Sequence, residues 1–255
     1  MSIPSLSLEG RVAIVTGSSR GIGRAIALTF AGAGADVVVC SRGLDGKLEP
    51  VAEEIQQLGR RSLAIRTDVT RKADVDSLVE KTLDEFGAID ILVNNAGTVI
   101  RSPVVEHTDE DWDRVMDTNL KSYFRCSRAV GRIMIEQKRG NIVSIASMRG
   151  ILASTGRVSY TVSKAAVIML TRVLALEFGS HDIRVNAIAP GWIRTELTEP
   201  LWSDLKAREE IINTIAMRRW AQAEEMANVA LFLASDVSSY VTGHTLVADG
   251  GISVI

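Results

Sequence analysis

Residues 11–23 read RVAIVTGSSRGIG. Val12, Ala13, Ile14 and Val15 make a short apolar run that stops at a glycine, the pattern of a strand covered on both faces. GIGRAIALTFAGAG (21–34) follows at once, with Ile22, Ala25, Ile26 and Phe30 at helical spacing until glycines end it. A strand, a glycine turn and a helix in this order bring unpaired helix N–H groups to a loop that an anion can approach closely. The glycines fall at 17, 21 and 23, a GxxxGxG spacing with a wider first gap than the common GxGxxG fingerprint.

The same alternation continues outward from this corner. Further strands are expected at DVVVCS (36–41), SLAIRTD (62–68), IDILVNNAG (89–97), NIVSIAS (141–147) and IRVNAIAP (183–190), with a seventh in HTLVADGG (244–251). Helices are expected from about Asp45 to Leu58, over 73–87, as one long helix from Asp109 to Gln137, from YTVSK (160–164) onward, and over 223–235. The segment from Gly191 to about Ala221 is less regular. PLWSDLKAREEIINTIA (200–216) reads as helical within it, and the segment is expected to lie over the substrate as a lid. Alternating strands and helices with continuous apolar strands predict an α/β fold: a doubly wound parallel sheet with helices on both faces. Such sheets bind ligands at the carboxyl ends of their strands. Gly17, Ser41, Asp68, Asn94, Ser147 and Pro190 gather at those ends.

The 255 residues, 46% of them hydrophobic, suit a single compact domain with its own core, and no linker or repeat divides them. A net charge of −2 gives no electrostatic reason for nucleic acid or membrane as partner. MSIPSLSLEGR lacks the basic and apolar regions of a signal peptide, and no apolar run nears the ~20 residues a membrane helix needs. Cys40 and Cys126 stand apart in apolar contexts, as two reduced, packed thiols of a cytoplasmic protein. His107, His181 and His244 are isolated and lack ligand spacing, so no metal is expected.

TGSSRGIG (16–23), NNAG (94–97), YTVSK (160–164) and PGWIRT (190–195), in this order and at these separations, resemble the short-chain dehydrogenase/reductase family over essentially the whole chain. The resemblance implies a Rossmann-type sheet of seven strands, a nicotinamide cofactor, hydride transfer to or from a carbonyl carbon, and a homotetramer or dimer. It implies cofactor contacts from Gly17, Ser19, Arg20, Gly21, Ile22 and Gly23 in the first loop. It adds Asp68 and Val69 beside the adenine, Asn95, Ala96 and Gly97 along the cofactor, and Pro190, Gly191, Ile193 and Thr195 after strand six.

An acid at the end of strand two would bind the adenosine ribose and repel a 2′-phosphate. Here that strand ends Cys40-Ser41-Arg42, and Arg42, with Arg20 from the other side, suits a 2′-phosphate. Asp45 is the competing partner for Arg42. NADP(H) is therefore favoured, with NAD(H) as the alternative.

Tyr160 and Lys164 share one helix face. A protonated Lys164 is expected to lower the Tyr160 pKa, making it the acid/base group, with Lys164 also a ribose ligand. Ser147 lies thirteen residues before Tyr160, the family's spacing for a serine that polarises the substrate oxygen. Asn119 matches the family's helix asparagine, thought to hold a water of a proton relay. Arg101, Arg149, Arg157 and Trp192 stand on the loops that would meet the substrate, where arginines suit a carboxylate or many hydroxyls. NNAGTVIRSP, IASMRG and APGWIRTELTEPL are similar to the sugar-acid branch of the family, the gluconate 5-dehydrogenases. A 3-oxoacyl carrier-protein reductase is the alternative enzyme. A catalytically silent NADPH-binding sensor is the alternative of another class.

Overall fold

The computed structural model describes residues 5–43 and 46–254. Seven parallel strands form one sheet in the order β3-β2-β1-β4-β5-β6-β7. They are β1 (Val12–Thr16), β2 (Asp36–Ser41), β3 (Ser62–Arg66), β4 (Ile91–Asn94), β5 (Gly140–Ile145), β6 (Ile183–Pro190) and β7 (Thr245–Ala248). Helices α1 (Gly21–Gly32), α2 (Leu48–Gln57) and α3 (Lys72–Phe86) connect the first strands. α4 (Asp109–Met116) and α5 (Ser122–Gln137) link β4 to β5, and α6 (Val158–Phe178) links β5 to β6. α7 (Glu199–Trp202), α8 (Leu205–Asn213) and α9 (Ala223–Ala234) precede β7. The apolar runs are continuous because alternate residues feed two cores. Ala13, Val15, Val37 and Val39 pack with Phe30 of α1, Ile55 of α2 and Leu233 of α9. Ile14, Val38 and Cys40 pack on the other face with Leu78 of α3 and Cys126 and Met134 of α5.

β1 pairs with β2 on one side and β4 on the other, so the winding reverses between β1 and β4. That switch point opens the crevice where doubly wound sheets take their ligands. Among the described residues no helix is long and apolar enough to cross a membrane. Cys40 and Cys126 are buried and free; burial pushes both thiols up, Cys126 to about 12, so neither is a ready nucleophile.

Three helical expectations are corrected. The span 109–137 is not one uniform α-helix: Asp117–Lys121 forms a π turn between α4 and α5, and Asn119 sits fully buried in it. A π turn inserts one residue into the helical winding and re-aims its side chains. The span 200–216 is two helices, because Asp204 accepts the N–H groups of Lys206 and Ala207 and starts α8 afresh. α2 begins at Leu48 rather than near Asp45. Asp45, and with it the competing Arg42–Asp45 contact, lies outside the described residues.

Candidate active site

The phosphate loop is wired from below. Thr16 Oγ1 donates to the Val93 carbonyl at 3.1 Å and accepts the N–H groups of Asn95 (2.9 Å) and Ala96 (3.2 Å). Asn95 Nδ2 donates to the carbonyls of Thr16 (2.8 Å) and Gly17 (3.0 Å). These bonds lock the end of β1 to the end of β4. They also turn the Asn95 side chain into the loop, so it shapes the cradle. Gly17 has φ +65°, and a Cβ there would lie 2.9 Å from the Ala96 Cα; a Cβ on Gly23 would strike Asn95 Nδ2 and the Gly17 carbonyl. Only glycine permits this turn, which leaves the first turn of α1 bare for a pyrophosphate.

A cleft of about 640 Å³ opens at this helix end, lined by Ser19, Arg20, Gly21, Lys47, Arg194 and Thr195. Thr195 of the 191–221 segment comes to 3.4 Å from where a Gly21 Cβ would stand. Ser41 Oγ, at the end of β2, is buried with no partner. Burial would raise the Asp68 carboxyl, but the Thr70 hydroxyl and N–H that it accepts, with Arg42 and Arg71, outweigh this and hold it low. Arg42 thus lies close enough to act on Asp68. Val69 is buried in the core behind it. Glycine cradle, bare helix end, unpartnered hydroxyl and nearby cations fit a phosphorylated dinucleotide.

The other half of the site stands at the ends of β5 and α6. Ser147 caps a short 3₁₀ turn; its Oγ accepts the Arg149 N–H at 3.1 Å, and its own proton goes to the Tyr160 phenol oxygen. Burial raises the Tyr160 phenol; Ser147, Arg157, Arg101 and Arg149 pull it back down only in part. Lys164 is buried, and burial pushes it down to about 7. Its Nζ donates to the Ile145 carbonyl at 2.6 Å and stands 5.9 Å from the centre of the Tyr160 ring. Arg157, Arg101 and Arg149 act on the phenol as cations, beside the Lys164 that was expected to lower it. The sequence offered no sign of the arginines' part in this, since their approach to the phenol is a tertiary outcome.

Asn119 is held by three hydrogen bonds. Its Oδ1 accepts the Thr98 N–H at 2.8 Å, and its Nδ2 donates to the Thr98 carbonyl (2.9 Å) and to Ser163 Oγ (3.2 Å). With its amide so engaged, the side chain ties the loop after β4 to α6. Ser163 and Thr98, its partners, were not singled out in the sequence.

Arg149 and Arg157 both lie over the Trp192 ring, their guanidinium carbons 5.7 and 6.0 Å from its centroid. The Nε of each is buried with no partner. Burial lowers the Arg157 pKa, and Arg101 and Arg149 lower it further; no carboxylate acts on it, only the Tyr160 phenol. The four predicted substrate residues therefore converge beside Tyr160. Arg194 does not join them: it stacks on Trp202 at 4.7 Å, on the phosphate side. Pro190 ends β6, Gly191 presses on the Asp249 backbone, and Ile193 is buried. Ile193 bridges to Ala221, so the 191–221 segment leaves and returns through paired ends.

A family model described as enoyl-(acyl carrier protein) reductase matches residues 17–253. The chain belongs to the short-chain dehydrogenase/reductase family. It is 41% identical to the 2-dehydro-3-deoxy-D-gluconate 5-dehydrogenase of Escherichia coli K12, over 98% of this chain and 98% of that one. It is equally 41% identical to the 3-oxoacyl-[acyl-carrier-protein] reductase of Thermotoga maritima, over 98% of this chain and 100% of the relative. A gluconate 5-dehydrogenase from Burkholderia cenocepacia J2315, solved with NADP and tartrate, superposes with a TM-score of 0.94 at 36% identity, covering 98% of both chains. As a short-chain dehydrogenase/reductase, this chain is an oxidoreductase of CH–OH groups with a nicotinamide dinucleotide.

Proposed function

We propose that this short-chain dehydrogenase/reductase interconverts a carbonyl and a secondary alcohol on a sugar acid or polyol-like substrate, with NADP(H). The observation that carries the reading is the pair of buried, unpartnered arginine Nε atoms over Trp192 beside Tyr160. Guanidinium groups without anions in a half-buried pocket are under mutual repulsion, and a substrate carboxylate relieves it by bidentate bonds. The B. cenocepacia relative was solved with tartrate, a hydroxy dicarboxylate, which supports the same substrate chemistry.

When bound, the nicotinamide supplies or takes the hydride. The chain's own residues handle the oxygen. Tyr160, kept protonated by burial, gives its proton to the carbonyl oxygen, and Ser147 turns its hydroxyl proton from the phenol to the same atom. Lys164, titrating near neutrality, resupplies the proton. Asn119 fixes the wall between them. The 191–221 segment covers the cleft, with Thr195 set against the phosphate loop. The cations Arg20 and Arg42 and the orphaned Ser41 hydroxyl support the 2′-phosphate of NADP(H) over NAD(H).

The reading includes assembly through the stripe Val162, Met169, Val173 and Leu176 on α6 with Phe124 on α5, all exposed apolar side chains. A second copy is the proposed occupant, in a dimer or homotetramer; light scattering that returns a monomer mass would contradict this. A second enzyme reading keeps a place because a 3-oxoacyl-[acyl-carrier-protein] reductase is as similar. A panel of keto sugar acids and acetoacetyl thioesters, run with NADPH and NADH, separates the readings. Fastest turnover of a keto sugar acid with NADPH is expected. Fastest turnover of the thioester would favour the second reading, and equal rates with NADH would remove the role given to Arg42.

A further inference from the structure

Lys164 has a neighbour that the reading above leaves without a role. Tyr123 of α5 is almost completely buried, 1% exposed, against α6. Its hydroxyl donates to the Ile145 carbonyl at 3.2 Å and accepts from Lys164 Nζ at 3.4 Å. Lys164 donates to that same carbonyl, so ammonium, phenol and carbonyl close a triangle. The Tyr123 ring adds its face, 5.1 Å from Nζ, nearer than the 5.9 Å to the Tyr160 ring. A lysine brought into a core needs such acceptors to stay charged.

We propose that Tyr123 is a positioning residue, whose hydroxyl holds the Lys164 ammonium at the Ile145 carbonyl and so keeps it charged for proton exchange with Tyr160. This rests on the reading of Tyr160 and Lys164 as the reacting pair. The titratable groups facing Lys164 are Tyr160 on its own helix and Tyr123 on α5. β5 contributes the Ile145 carbonyl, the loop after β4 contributes Gly97, and the π turn contributes Asn119 through Ser163; none of these ionises near neutrality. Burial raises Tyr160 and lowers Lys164, so the first proton to leave the pair is the lysine's. Without the Tyr123 hydroxyl the ammonium loses one acceptor, and that proton leaves at lower pH.

Tyr123→Phe keeps the ring and removes only the hydroxyl. The alkaline limb of kcat for carbonyl reduction should move down by about half to one pH unit, with KM changed less than about twofold. A packing role alone would lower the melting temperature and leave the limb where it was, and an unmoved limb overturns the proposal. A second measurement uses the intact protein and no turnover. The chain has three tyrosines, Tyr123, Tyr160 and Tyr240, so ¹³Cζ-tyrosine labelling gives three resonances. Tyr240 is fully exposed and serves as the control. The Tyr123 resonance should inflect near neutral pH in the wild type and lose that inflection in Lys164→Met. A resonance flat through neutrality in the wild type would overturn the proposal even if no substrate had been found, which keeps its failure distinct from failure of the sugar-acid reading.

Discussion

Tyr160→Phe should lower kcat by about 10²–10⁴-fold while leaving NADPH affinity within a few fold, because the ring stays and only the exchangeable proton is lost. The phenol is buried and held protonated, with Ser147 beside it as second donor. Ser147 cannot replace it: once the phenol is gone its remaining bond partner is the Arg149 N–H, a donor that cannot refill the hydroxyl. Stopped-flow measurement of NADPH oxidation gives kcat, and fluorescence titration gives the affinity. Full activity in the variant would remove Tyr160 from the chemistry. The residual rate should also lack the pH dependence expected of the wild type near neutrality, because Lys164, lowered to about 7, acts through this phenol.

The second large effect concerns the arginines. Replacing Arg149 and Arg157 together by methionine should cut kcat/KM for a keto sugar acid by about 10²–10³-fold, each charge-assisted bond being worth roughly 1.5–3 kcal/mol. The loss should fall mainly on KM. For a neutral diketone the change should be small, or reversed in sign, since the variant no longer buries two repelling cations over Trp192. The comparison of charged and neutral substrates separates lost recognition from general damage: a misfolded pocket lowers both rates alike.

Much of the fold was legible because its signals are local. RVAIVTG gives a buried strand by composition alone, and the glycines at 17 and 23 stand where backbone and side chains leave no room for a Cβ. The Tyr160–Lys164 spacing places both on one face by helix geometry. Where side chains point across elements was not legible. The π turn at Asp117–Lys121 keeps the apolar pattern of a helix while changing its hydrogen bonds, so periodicity cannot reveal it. The break at Asp204 carried a signal, an N-capping aspartate after a serine, that the apolar pattern of 200–216 masked. Lys164 turned toward the Ile145 carbonyl because α5 packs Tyr123 against it, a contact between residues 41 apart in the chain. Arg149 and Arg157 were singled out one by one. Their convergence depends on Trp192 arriving from the loop after β6.

The account turns on those arginines receiving an anion beside the phenol. The most direct measurement is the ratio of kcat/KM for a keto sugar acid to that for its uncharged amide, on the wild-type protein with NADPH. A ratio of about 10² or more is predicted, from the bidentate contacts that an amide cannot make. A ratio near one would contradict the account, for it would mean that the guanidinium groups over Trp192 do not read the charge of the substrate.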